Sequence, residues 1–367
     1  MFDIYTAAFD LEGPLSPQDN AYEVLQLIEN GRALFEVISE YDDYLALQGR
    51  QDYEPGDTLK LIVPFMLVGG VTESDIKRVS QRAKIVRGAE KLIRWLQGDE
   101  WDVHIISTSY EQHAYSIAKQ LGVDQEKVHC THFPLDSFAE TLGKPEENLI
   151  QSIEEEILLF YRNSGHDKGT RFKELANRLD LFFFNQVPRT AMKTIFEQIS
   201  VIGGERKVHA LMRAVDQRST LQHTAVVGDS ITDCKMLRKA RRSCGLSVVF
   251  NGNGYALPYG NIAMACVDIR PMYPVFSAFR EGGLDLAFNV AVEWEKAREV
   301  FMKDPEKVPG HFVKEELEQF FIDAPNDAVF PRFSLLTGKT ERQLESISST
   351  HRRFRNLVRG ESTAKLG

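Results

Sequence analysis

TAVVGDSITDCKML, residues 224–237, is the stretch on which the fold of this 367-residue chain turns. An apolar run closes on Gly228, and Asp229 and Asp233 then arrive four residues apart. A short, unbroken apolar run suits a strand buried on both faces, and such strands belong to parallel sheets. Three other runs share this character: IYTAAF at 4–9, VHIIS at 103–107 and GLSVVF at 245–250. Helical spacings separate them, so the expected fold is α/β, a Rossmann-like, doubly wound parallel sheet. In such sheets sites gather at the carboxyl ends of strands, which is where Asp10, Ser107 and Asp229 fall.

Composition narrows the function classes. The chain is 43% hydrophobic and 26% charged, as in ordinary soluble proteins. A formal net charge of −9 and a pI near 5.6 argue against a nucleic-acid or anionic-membrane binder and point to a small ligand or a local positive site. Cys130, Cys234, Cys244 and Cys266 form no C-x-x-C pair, so the pattern suggests neither a zinc site nor a disulfide framework, and they are read as reduced thiols. No apolar stretch approaches the roughly 20 residues of a membrane span, and MFDIY lacks the basic start of a signal peptide. A cytoplasmic protein without membrane insertion is expected.

The segments between the strand runs are long. TESDIKRVSQRA carries a capping-box-like Thr72 and Asp75, and GAEKLIRWLQ places Ala89, Leu92, Ile93 and Leu96 on one face. LIQSIEEEILLFY and MKTIFEQISVI repeat the helical spacing further on. The expected organisation is an α/β core of residues 1–15, 100–135 and 200–284. A helical cap occupies 16–99, a second helical insertion 136–199, and a helical C-terminal extension with a basic tail 285–367. In that tail Arg352, Arg353, Arg355 and Arg359 are expected to lie on a solvated helix face or a frayed end.

Four elements carry one chemical logic. Asp10-Leu11-Glu12-Gly13 follows the first run. A carboxylate there can act as nucleophile toward phosphorus and as a hard oxygen ligand for Mg²⁺, and the second acid can serve as general acid and base. Taken alone, Asp10 and Glu12 are equally turn acids before Gly13 and Pro14. Ser107-Thr108-Ser109 can hold phosphate oxygens, or Ser107 can cap the helix EQHAYSIAKQL. Lys207 at a helix start can neutralise carboxylate and phosphate, with Arg206 as its rival. Asp229 and Asp233 suit a Mg²⁺ site, because a capping role explains one acid and not both.

In this order the elements resemble the motifs of the haloacid dehalogenase-like (HAD) phosphohydrolases: D-x-D-G after the first strand, Ser or Thr after the second, a helix-start Lys, and G-D-x-x-x-D after the fourth. The long stretch between Asp10 and Ser107 has room for a cap, as in the phosphoserine-phosphatase-like branch. DLEGPLSPQDNAYE and YEPGDTLKLIVPF also look like a group of archaeal predicted phosphatases, some linked to energy-converting hydrogenase.

The resemblance implies a Mg²⁺-dependent phosphatase that forms an aspartyl-phosphate on Asp10. Mg²⁺ would sit on Asp10, Asp229 and the backbone carbonyl of Glu12, with Asp233 at the metal edge, and Ser107, Thr108 and Lys207 would hold the phosphate. Asp19 and Asn20 are expected to face the site, Lys60 or Tyr44 to reach in from the cap, and Asn251 and Asn253 to line the rim. Glu12 stands where the family has Asp, an extra methylene that moves the carboxyl by roughly 1.5 Å. The alternative is therefore a catalytically weakened phosphate- and Mg²⁺-binding regulatory or assembly subunit. The expected partner is a small phosphorylated metabolite, not nucleic acid, and a homo-oligomer is compatible with the pattern.

Overall fold

The computed structural model describes residues 4–163, 168–215, 219–314, 317–324 and 326–360. Residues 361–367, the end of the expected tail, lie outside the described residues. The strands are β1 (Tyr5–Phe9), β2 (Trp101–Tyr110), β3 (Val128–Thr131), β4 (Thr224–Gly228), β5 (Leu246–Phe250), β6 (Ile262–Ala265) and β7 (Arg332–Leu335). They form one sheet in the order β3-β2-β1-β4-β5-β6-β7, parallel throughout except for β7, which pairs antiparallel to β6. The fold is thus α/β, a Rossmann-like sheet.

Central β4 and β5 are buried along their whole length, as a strand covered on both faces must be, and this is why they read as continuous apolar runs. One face is covered by the helices Ala89–Gly98, Glu111–Leu121 and Tyr273–Lys303. Glu205–Ala214 and Cys234–Arg242 cover the other, joined by Leu344 and Ile347 of the last helix, Glu341–Arg359. Within the 16–99 stretch, then, the helix Ala89–Gly98 packs in the sheet's own core.

Three strands escape a reading of apolar runs: β3, β6 and β7 are four residues each, too short for periodicity to separate them from loops. The C-terminal extension is accordingly not wholly helical, since it supplies β7. β2 also runs three residues past Ser107, to Tyr110, with a register irregularity against β3 between Ile106 and Tyr110. The next helix starts at Glu111, with Tyr110 and not Ser107 in the cap position.

The two helical insertions, separate in sequence, share one apolar cluster. Leu34, Ile38 and Tyr41 of Gly31–Leu47 pack with Ile153 and Ile157 of Lys144–Arg162 and with Leu179 of Lys168–Leu181. The Tyr41 hydroxyl donates to Asp180, and Arg50 pairs with the same carboxylate at 3.0 Å. Among the described residues no helix is long and apolar enough to cross a membrane.

The strand order explains where the site lies. The chain leaves β1 toward β2 and β3, then returns to lay β4 on the other side of β1. At such a reversal the loops after the two adjacent strands splay apart, leaving a crevice at their carboxyl ends. Phe9 pairs with Val227, so Asp10 and Asp229 emerge side by side.

Candidate active site

Asp10, Asp229 and Asp233 converge, with one ligand oxygen from each within 4.8 Å of the others. All three are buried, at 3%, 1% and 0% exposure. Asp10 is held by its amide donating to Val227 O at 2.8 Å, and its Oδ1 accepts from the Leu11 amide at 2.8 Å. Gly13, at φ +114°, is required here: a Cβ would lie 2.3 Å from Asp229 Oδ2. Gly228 likewise leaves room for Asp233, since its Cβ would fall 2.6 Å from that side chain.

Lys207, fully buried on the helix Glu205–Ala214, donates from Nζ to Asp10 Oδ1 at 2.7 Å and to Asp233 Oδ1 at 2.6 Å. Burial works to strip its proton, but the two carboxylates outweigh burial and hold the ammonium above its ordinary value. Asp10 is raised by burial and by the charges of Asp233 and Asp229, against the lowering effect of Lys207. Arg206, the rival cation, points elsewhere, to Asp57 at 2.6 Å and to Val201 O.

Asp233 spends both oxygens inside the protein. Oδ1 takes Lys207, and Oδ2 accepts from the amides of Asp229 and Ser230 at 2.9 and 3.1 Å. Asp229 is different: Oδ1 is buried without a hydrogen-bond partner among the described residues. An orphaned carboxylate oxygen amid three acids is the donor set a hard divalent cation takes, so the residues fit Mg²⁺.

A cavity of about 60 Å³ opens over Asp10. Glu12, Asp19 and Thr108 line it, whereas Ser107, Asn20 and Lys207 do not. Glu12 Oε1 accepts from the Asn20 amide at 2.9 Å, and burial, with Asp19 beside it, pushes the Glu12 carboxyl up to about 8. Asp19 also caps the helix Asn20–Leu25 through the Tyr22 amide. Buried Ser107 accepts from the Ser109 amide at 3.0 Å, and the Asn20 side chain donates to Ser80.

The other expected lining residues do not reach this cavity. Lys60 lies over the Phe196 ring and Tyr44 packs edge-on to Phe172. Asn251 bridges to both backbone groups of Cys266, and Asn253 caps a turn through the Tyr255 and Ala256 amides. The cap wall is built instead by Ser39, Asp42, Asp43 and Thr58. Burial pushes Asp42 up to about 7 and Asp43 to about 6. Ser39, Asp42 and Asp43 stand on the helix Gly31–Leu47, and the loop between that helix and Thr58 is tied to the core by Glu54 on Lys235, at 2.8 and 2.9 Å, and by Asp57 on Arg206.

The basic tail departs most from expectation. Arg355 and Arg359 do not lie on a solvated face: their side chains are 2% and 4% exposed and both reach Asp229 Oδ2, Arg359 at 3.1 Å. Arg359 Nε also donates to Pro17 O at 3.2 Å. Spacing was the available signal, because His351, Arg355 and Arg359 recur every four residues and so share one face of a helix. Arg352 and Arg353 are exposed, as expected.

The chain matches no protein-family model and no curated protein. Among solved structures it is similar to gene product AF1437 from Archaeoglobus fulgidus, at 27% identity and a TM-score of 0.74 over 99% of each chain. A substrate-bound phosphoserine phosphatase complex overlaps 74% of this chain and 98% of its own, at 14% identity and a TM-score of 0.48. A phospho-aspartyl intermediate analogue of phosphoserine phosphatase overlaps the same shares at 14% identity and a TM-score of 0.43. The likeness to the Archaeoglobus fulgidus protein covers the sheet, both helical insertions and the C-terminal helix.

Proposed function

We propose that the chain is a Mg²⁺-dependent phosphatase of the haloacid dehalogenase-like type, hydrolysing a small phosphomonoester through an aspartyl-phosphate on Asp10. The observation that carries this reading is the buried cluster of Asp10, Asp229 and Asp233 around Lys207, at the carboxyl ends of β1 and β4. Mg²⁺ held by Asp10, Asp229 and the backbone carbonyl of Glu12 would supply charge neutralisation at the phosphoryl group.

This chain's residues do the rest. Asp10 attacks phosphorus through a carboxylate oxygen, forming the oxygen–phosphorus bond of an acyl phosphate while the bond from phosphorus to the leaving oxygen breaks. Glu12, whose raised pKa keeps its proton on at neutral pH, delivers that proton to the leaving oxygen. The resulting Glu12 carboxylate then takes a proton from water, which attacks the aspartyl-phosphate and releases inorganic phosphate. Asp233 acts as a positioning residue, since it holds Lys207 and the backbone of Asp229. The cavity's small volume supports a compact substrate or one admitted by cap opening. The narrower likeness to archaeal hydrogenase-linked predicted phosphatases belongs to the same proposal and names no substrate.

The test is phosphate release from a panel of phosphomonoesters with Mg²⁺, wild type beside Asp10→Asn. Turnover abolished by the substitution is expected. No Asp10-dependent release from any substrate overturns the reading.

A further inference from the structure

The last helix meets the acid cluster at Asp229. Arg355 Nη1 and Arg359 Nη1 both donate to Asp229 Oδ2, Arg359 at 3.1 Å. Asp229 Oδ1 is buried and takes no hydrogen bond among the described residues. Asp10 and Asp233 are bound instead by Lys207, at 2.7 and 2.6 Å. Asp229 is therefore the acid on which a divalent cation and the C-terminal helix would both draw.

The helix is anchored where it makes this contact. Glu341–Arg359 starts with a capping box at Thr340 and packs Leu344 and Ile347 against the sheet. His351 Nδ1 accepts from the Gly252 amide at 3.0 Å, and the neighbouring Asn253 amide donates to Asp229 O at 2.8 Å. The helix and the loop after β5 thus hold Asp229 from two sides. Arg359 Nε adds a bond to Pro17 O at 3.2 Å. The guanidinium groups are compensated as they stand, since Asp229 bonds both and Asp19 acts electrostatically on both.

The same contacts weaken Asp229 as a metal ligand. A carboxylate attracts a cation through its negative charge, and two guanidinium groups on one of its oxygens offset that charge. They also repel a divalent ion seated on the same carboxylate, in a buried setting that salt and water screen little. The repulsion does not titrate away, because arginine keeps its proton throughout the working pH range. Groups that contact a metal ligand from behind change metal affinity by about 10- to 100-fold, and a cation behind a carboxylate acts against binding.

We propose that Arg355 and Arg359 compete with the divalent cation for Asp229, so that the C-terminal helix holds the affinity of the metal site down. The inference rests on Asp10, Asp229 and Asp233 being a divalent-cation site, as the phosphatase reading requires, and it is measured without turnover.

The experiment is titration of the full-length protein with Mn²⁺, a hard ion that takes the same oxygen ligands as Mg²⁺, with free Mn²⁺ followed by electron paramagnetic resonance. Wild type is compared with Arg359→Gln, Arg355→Gln, Arg359→Lys, Asp229→Asn and Arg352→Gln. Circular dichroism establishes that each variant is folded, and the two glutamine variants at Arg355 and Arg359 test the inference independently. Each is expected to bind Mn²⁺ about 10- to 100-fold more tightly than wild type, whereas Arg359→Lys, which keeps the charge, recovers most of the wild-type affinity. The exposed Arg352 lies on the same helix, and Arg352→Gln should leave affinity within about twofold. Because a ligand stabilises the fold in step with its affinity, added Mn²⁺ should also raise the thermal midpoint more in Arg359→Gln than in wild type.

Folded glutamine variants that bind Mn²⁺ no more tightly than wild type overturn the inference, and so does an equal gain in Arg352→Gln. Asp229→Asn separates the two levels of argument. If it abolishes Mn²⁺ binding while the arginine variants leave affinity unchanged, the inference fails alone. If it leaves Mn²⁺ binding unchanged, the metal site assigned to the phosphatase reading fails, and the inference with it. Arginine-dependent Mn²⁺ affinity without Asp10-dependent phosphate release sinks the phosphatase reading and leaves the inference standing.

Discussion

Replacing Lys207 by Met tests whether the buried ammonium is what lets three acids share one site. The side chain is fully buried, with carboxylate oxygens at 2.7 and 2.6 Å on Asp10 and Asp233. Met keeps the unbranched stem and removes the charge, leaving two buried carboxylates whose repulsion is no longer offset. Removing one partner of a buried pair costs about 3–5 kcal/mol, and Lys207 is partner to two, so a loss of about 4 kcal/mol or more is expected at pH 7. That is a large fraction of the roughly 5–15 kcal/mol by which a domain is stable. Urea unfolding followed by tryptophan fluorescence is the assay, because Trp95, Trp101 and Trp294 all lie in the apolar cluster of the sheet. Two controls separate charge from packing. The deficit should shrink as pH falls and the acids protonate, and Asp233→Asn added to Lys207→Met should return part of the stability. A loss under about 1 kcal/mol, or one unchanged by pH and by the second substitution, would falsify the argument that charge compensation holds this site together.

Gly13→Ala sets a Cβ 2.3 Å from Asp229 Oδ2 at a backbone φ of +114°, and should cost about 1–3 kcal/mol in thermal stability. Because it displaces a proposed ligand, Mn²⁺ affinity should also fall about tenfold by electron paramagnetic resonance, and unaltered affinity would count against Asp229 as ligand. His113 is fully buried, neither ring nitrogen has a hydrogen-bond partner among the described residues, and burial holds its pKa down to about 3. The unfolded chain therefore takes up that proton first, so stability is present above about pH 6.5 and is lost as pH falls toward 3. His113→Leu should gain about 2 kcal/mol over wild type between pH 7 and pH 5 in urea midpoints. Parallel stability curves would refute it.

The parallel sheet was legible because its central strands are covered on both faces and so must be apolar throughout. β1, β4 and β5 announce themselves in this way, and their ends mark Asp10 and Asp229. The spacing of Asp229 and Asp233 carried chemical information as well, since two acids one turn apart exceed what a helix cap requires. Register and strand order lay beyond that pattern. Four-residue β3, β6 and β7 have no period to detect, and β7 owes its place to pairing with β6 from some seventy residues away in sequence.

Only the tertiary structure decided which charges meet. Arg206 and Lys207 are adjacent in sequence, yet the helix turns one toward Asp57 and the other between Asp10 and Asp233. Arg355 and Arg359 read as a solvated face because helical spacing assigns residues to a face without saying what that face meets. Their burial follows from the docking of the last helix over the crevice between β1 and β4. The two insertions likewise look independent in sequence, and they become one helical body because neither buries its apolar stripe alone. Local pattern determined the strands and the acids at their ends; long-range packing, which no local pattern encodes, determined the cations that face them.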